Sequence, residues 1–192
     1  MYNFILASSS PRRISLLNNI GYNPDKIISA DIDETPNKKE LPKEYAKRMA
    51  FEKASKIHKQ FSESLILGAD TVVSRGRLIL TKPKDKDDAH RIFKLLSGRR
   101  HSVFTGICII KENKIITKVV ETKLKFKLLT NKEIQNLIDS NEWQDKSGGY
   151  ALQGFASAYI SWINGHPSNV IGLPVHETYK ILNGLGLKQN TV

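Results

Sequence analysis

An aspartate stands inside an otherwise aliphatic run, Leu65-Ile66-Leu67-Gly68-Ala69-Asp70-Thr71-Val72-Val73. The run reads as a buried strand over Leu65–Ser74, and such a strand calls for helices packed over its sheet. A carboxylate inside it is costly to bury unless it is paired, hydrogen-bonded or bound to a metal. Three readings of Asp70 follow: it binds a divalent cation, it activates a water, or it lies at a strand end where a local turn satisfies it.

The flanking sequence alternates between the strand and helix periods. Phe4–Leu6 reads as a short strand and Pro11–Asn19 as a helix ended by Gly21. Ile27–Ser29 fits a second strand, followed by the acidic loop Asp31–Glu40 and a long helix over Leu41–Phe61. Arg75-Gly76 makes a hairpin turn into Arg77–Leu80, and Lys86–Leu96 is helical. Strands follow near His101–Lys111 and Ile115–Leu128, around a turn at Glu112-Asn113. Thr130 and Glu133 stand at capping-box spacing before a helix ending near Ser140. A glycine-rich loop at Ser147–Gly154, a strand at Ala158–Ile163, a polar loop at Ser168–Pro174 and a helix at Val175–Leu185 complete the pattern. Helices lying between strands predict an α/β fold with a mixed sheet flanked by helices, in a single domain over residues 1–192.

Charge narrows the function classes. Thirty Lys and Arg against nineteen Asp and Glu give +11, which suits a polyanion, either nucleic acid or a phosphorylated small molecule. The lysines are dispersed, as in Lys111, Lys114, Lys118, Lys123, Lys125 and Lys127, with no basic block, zinc-finger spacing or long basic helix. Nucleic acid is therefore the disfavoured partner. A lone cysteine, Cys108, excludes an internal disulfide and fits a reducing compartment. The longest apolar run, Val103–Ile110, falls far short of the roughly 18 residues of a membrane helix. Phe4–Ala7 is too short for a secretory segment. A cytoplasmic protein without a membrane partner is expected.

Four segments carry chemistry. In Ala7-Ser8-Ser9-Ser10-Pro11-Arg12-Arg13, Ser10 can cap a helix opened by Pro11, and first-turn amides with Arg12 and Arg13 favour an anion. The same residues also describe a plain helix start with solvated arginines. Lys53 falls within the apolar arc Tyr45, Met49, Ala50, Ala54, Ile57 and Phe61, so it either snorkels to the core edge or enters a cleft with an anionic partner. The third segment is the strand bearing Asp70. The fourth, Asp145–Gly154, offers paired glycines that let amides approach a ligand, and Gln153, whose amide both donates and accepts.

In order along the chain, SSSPRR (Ser8–Arg13), DIDETP (Asp31–Pro36), GADTVV (Gly68–Val73), Lys82-Pro83, LSGRRH (Leu96–His101), Thr105-Gly106, DKSGGYALQG (Asp145–Gly154) and NVIGLP (Asn169–Pro174) resemble the Maf family of nucleoside triphosphate pyrophosphatases. The resemblance implies a curved mixed sheet flanked by helices, two lobes and a deep cleft. It also implies hydrolysis of a nucleoside triphosphate between its α- and β-phosphates, with a divalent cation, Mg or Mn, as cofactor. By the same resemblance Ser8, Arg12, Arg13, Lys53 and Lys82 hold the triphosphate, Asp70 is the general base, and Glu34 joins Asp70 in metal binding. Arg12, Thr71 and Gln153 match positions that the dTTP- and UTP-cleaving branch uses for discrimination, whereas the 7-methyl-GTP branch carries Glu before the last glycine. An amide suits the O4 and N3–H edge of uracil or thymine. Members often form homodimers, although the chain itself gives no interface. The alternatives that the family suggests are a 7-methyl-GTP-type pyrophosphatase and a septum-formation regulator acting through interactions.

Overall fold

The computed structural model describes residues 3–190. Its elements run β1 (Phe4–Leu6), α1 (Pro11–Asn18), β2 (Lys26–Ile27), α2 (Pro42–His58), β3 (Leu65–Arg75), β4 (Leu78–Leu80), α3 (Lys86–Leu96), β5 (Arg100–Lys111), β6 (Lys114–Phe126), α4 (Asn131–Asp139), β7 (Ile160–Asn164), α5 (Pro167–Ile171) and α6 (Val175–Gly184). The strands form one sheet in the order β2-β1-β3-β5-β6-β7, with β4 paired to β3. β1 lies parallel to β2 and β3, and the other pairings are antiparallel, so the sheet is mixed as expected. No helix among the described residues is long and apolar enough to cross a membrane.

Helices pack both faces of the β1–β3–β5 centre. On one face α2 lays Ala50, Ala54 and Ile57 against Ile5, Ile66, Cys108 and Ile110. On the other, residues of α1 and α6, including Leu17 and Leu182, pack on Phe4, Leu6, Leu67, Ile107 and Ile109. A further core gathers α3 and α4 around the far ends of β3, β5 and β6, with Phe93, Phe126, Ile134, Trp143 and Tyr150 buried there. The long strands β3 and β5 contribute to both cores, and Asp70–Val73 of β3 line the cleft.

Several boundaries differ from the sequence pattern by one or two residues, among them β2, which covers Lys26–Ile27 rather than Ile27–Ser29, and three differences have a local cause. α2 starts at Pro42 and ends at His58; Leu41 is extended and serves as its cap, and Phe61 already belongs to the turn after it. The strand expected at Ala158 begins at Ile160, because Phe155–Tyr159 coil into a 3-10 turn whose last carbonyl accepts from the Lys127 amide at 2.9 Å. The expected loop over Ser168–Pro174 contains the short helix α5, opened by Pro167 in its first turn, where a proline lacks nothing it needs. The capping box of Thr130 and Glu133 forms as the spacing predicted.

His101 in β5 is 3% exposed and its Nε2 lies 2.7 Å from Tyr150 Oη, with the Phe126 ring stacked 5.7 Å away. Burial pushes its pKa down from 6.5 to about 4. The unfolded chain therefore takes up a proton as pH falls from 6.5 toward 4 while the folded chain does not. Over that window the fold loses about 3 kcal/mol, a loss absent above it. Chemical denaturation between pH 7 and pH 4 should show a flatter acid limb in His101→Gln than in the parent. Identical limbs would mean that His101 takes up its proton at the same pH in the folded and the unfolded chain.

Candidate active site

All nine candidate residues line one cleft of about 620 Å³, a size in the range of ligand pockets. β1 delivers the serine run to its floor, and α1 begins at Pro11. Ser10 holds the cap position, yet its side chain makes no capping bond; its amide donates to Ser8 Oγ at 3.3 Å. Arg13 turns inward from the first turn of α1. Its Nη1 donates to Ser8 Oγ at 2.8 Å, its Nε to the Gly172 carbonyl at 2.9 Å, and its Nη2 to Thr71 Oγ1 at 3.3 Å. Thr71 Oγ1 also lies 2.9 Å from Thr105 Oγ1. These acceptors are neutral, so the buried guanidinium keeps charge to spare. Burial lowers its pKa, against the pull of Asp70.

Asp70 and Lys53 meet because β3 and α2 are pressed together. Lys53 follows Tyr45 and Met49 at four-residue steps along the buried face of α2, and it does not snorkel outward. Its Nζ lies 2.6 Å from Asp70 Oδ1 and 2.6 Å from Glu34 Oε1, bridging the two carboxylates. For Asp70 burial outweighs the attraction of Lys53 and Arg13, and its carboxyl sits above the ordinary aspartate range. Burial pushes Glu34 the same way but is overcome there by Lys53, Lys82 and Arg13 together, which hold it below the ordinary range. Asp70 Oδ2 has no protein partner among the described residues and is available to a water.

Arg12 and Lys82 face the cleft without a salt bridge among the described residues. Lys82 is exposed just beyond β4. Gln153 also lines the cleft, is exposed, and its amide makes no hydrogen bond among the described residues.

Sequence reasoning passed over three residues that shape this cleft. Lys146 lines it beside the glycine pair, with its pKa lowered by burial and by Arg12; a basic residue at the shoulder of Gly148-Gly149 was the available signal. Tyr45 donates from its hydroxyl to the Glu34 carbonyl at 2.8 Å, fixing the acidic loop to α2, and its four-residue spacing to Met49 and Lys53 marked it only as core. Gly172 holds Arg13 through its carbonyl, at φ 134°, where glycine is favoured. A backbone contact of this kind leaves no mark in side-chain chemistry.

The donor set at the floor is two carboxylates. Among the described residues no cluster of three or more His, Cys, Asp or Glu could enclose a metal. Glu34 and Asp70 fit a hard cation of the magnesium kind, which binds one or two carboxylates and fills its shell with water and phosphate oxygens.

Residues 3–185 match the family described as Maf, Maf-like protein. A protein of Rickettsia rickettsii (strain Sheila Smith) named nucleoside triphosphate pyrophosphatase is 50% identical over 98% of this chain and 90% of its own. Proteins named dTTP/UTP pyrophosphatase from Zymomonas mobilis and Mesorhizobium japonicum are 49% and 46% identical, over 95% and 96% of this chain and 91% and 92% of theirs. The Staphylococcus aureus Ham1 protein shares the fold, with a TM-score of 0.53, 14% identity and coverage of 95% of this chain and 98% of its own. With the family match running over nearly all of the described residues, and with relatives at half identity, the chain belongs to the Maf family.

Proposed function

We propose that this chain hydrolyses dTTP and UTP between the α- and β-phosphates, releasing the monophosphate and pyrophosphate. The observation that carries the reading is a buried, raised-pKa carboxyl, Asp70, at the floor of a cleft lined by Arg12, Arg13, Lys53 and Lys82. The names of the Rickettsia and Zymomonas relatives support the reaction class and the pyrimidine substrates respectively. Ser8, Arg12, Arg13 and Lys82 bind and orient the phosphate chain as charge-assisted or hydroxyl donors. Asp70 Oδ2 takes the proton of the attacking water, with Lys53 fixing the carboxylate through Oδ1. Glu34 and Asp70 would hold a divalent cation, Mg or Mn, which when bound neutralises phosphate charge and polarises the phosphorus. Thr71 sits beside Arg13, and Gln153, which lines the same cleft, reads the base edge. The same reading makes the chain a single-domain cytoplasmic enzyme, which the buried, unpaired Cys108 supports.

Pyrophosphate release with magnesium, measured across dTTP, UTP, CTP and 7-methyl-GTP, tests this reading. The expected result is turnover concentrated on the first two. Turnover of none would sink the enzymatic reading, and turnover of 7-methyl-GTP alone would sink the pyrimidine assignment. Gln153→Glu replaces a donor-and-acceptor by an acceptor and should lower kcat/KM on dTTP and UTP by about tenfold to a hundredfold. Unchanged kcat/KM on both would remove Gln153 from base reading.

A further inference from the structure

A side chain that reads a base must be held at a fixed distance from the reacting centre, because small misplacements are costly. Tyr150, Ala151, Leu152 and Gln153 line the cleft, and the stretch is pinned at both ends by His101 and Glu142, residues that do not line it. At its front, Tyr150 is 6% exposed and its hydroxyl lies 2.7 Å from Nε2 of His101, itself 3% exposed. The Tyr150 ring stands edge-on to both His101 and Phe126, at 5.5 and 5.2 Å between centroids. The Nδ1 of His101 is buried without a hydrogen-bond partner among the described residues, so the Tyr150 contact is the polar anchor of this ring. At the far end, Glu142 Oε2 accepts from the Phe155 amide at 2.8 Å. The carboxylate lies against Gly154 so closely that a Cβ there would stand 1.9 Å from Oε2. A turn closes between the pins, with the Gly154 amide donating to the Ala151 carbonyl at 3.2 Å.

We propose that His101 and Glu142 are positioning residues for base selection, the first through the Tyr150 hydroxyl and the second through the Phe155 amide, together fixing where Gln153 stands. The inference rests on the reading of this cleft as a pyrimidine triphosphate site with Gln153 at the base. It adds that selectivity is set through two residues, His101 and Glu142, that do not line the cleft. Tyr150→Phe removes one of them while keeping the ring packing, and Glu142→Ala removes the other. Glu142→Gln retains an acceptor oxygen.

The experiment measures kcat and KM on dTTP and CTP for the parent, Tyr150→Phe, His101→Phe, their double variant, Glu142→Ala and Glu142→Gln, with a melting curve for each. In Tyr150→Phe and Glu142→Ala the preference for dTTP over CTP should fall about tenfold, chiefly through KM on dTTP. Glu142→Gln should recover most of the preference. The double variant of Tyr150 and His101 should lose no more than either single, since the two share one bond. A selective parent whose Tyr150→Phe and Glu142→Ala variants melt earlier yet keep full preference would overturn the inference while leaving the function intact. A parent that cleaves triphosphates without base preference would overturn the reading of Gln153 and this inference with it.

Discussion

Asp70→Asn should lower kcat by about a thousandfold, the middle of the range for removing a positioned general base. The amide occupies nearly the same space and cannot take a proton from water. Stability should change much less. Breaking a buried ion pair is usually costly because the remaining charge is left alone, but Lys53 keeps Glu34 at 2.6 Å, on a side chain 43% exposed to water. A loss of no more than about 2 kcal/mol is expected, visible as a melting shift of a few degrees. Steady-state kinetics and thermal unfolding on the same preparation separate the two effects. Asp70→Glu supplies a second arm: it keeps a base but displaces it by one methylene, so its kcat should fall between those of the parent and Asp70→Asn. If Asp70→Asn turns over within about threefold of the parent, another group accepts the proton.

Much of this arrangement was legible in the sequence because it rests on local rules. The aliphatic run with one carboxylate marked β3 and its buried acid together, and the helical arc from Tyr45 to Ile57 put Lys53 on the packed side of α2 before any contact was known. The choice between a snorkelling and a cleft-facing Lys53 was not local. It depends on Asp70 arriving from 17 residues away and Glu34 from the loop ahead of α2. The same limit explains the elements that were missed. α5 is five residues long, too short to show helical periodicity, and the 3-10 turn at Phe155–Tyr159 carries the same residue types as a strand. The carbonyl of Gly172 that holds Arg13 lies 159 residues away, where no spacing rule reaches. The pairing of His101 with Tyr150 likewise joins two quoted motifs, LSGRRH and DKSGGYALQG, whose meeting only the fold reveals.

The contact between Asp70 and Lys53 also depends on what is missing from the sheet. Gly106 is the register partner of Asp70, and Gly68 lies two residues before it on the same face of β3. A Cβ on Gly106 would stand 2.2 Å from the Ala46 carbonyl oxygen, and one on Gly68 would stand 2.4 Å from that of Ala50. Both collisions are with the backbone of α2, which cannot rotate aside as a side chain can. Gly106→Ala must therefore lift the helix from the sheet. Overpacking of this kind costs about 3 kcal/mol, and in a chain of this length that is a fall in melting temperature of about 10 °C. Activity should drop by about a hundredfold even well below the new melting point, because Lys53 rides on the displaced helix while Asp70 stays on the strand. Gly184→Ala at the end of α6 is the control: its Cβ would meet nothing within 4 Å, and the exchange should leave melting unchanged or raise it slightly. If Gly106→Ala melts within about 2 °C of the parent and keeps its kcat, the close approach of helix to sheet does not set the distance between base and lysine.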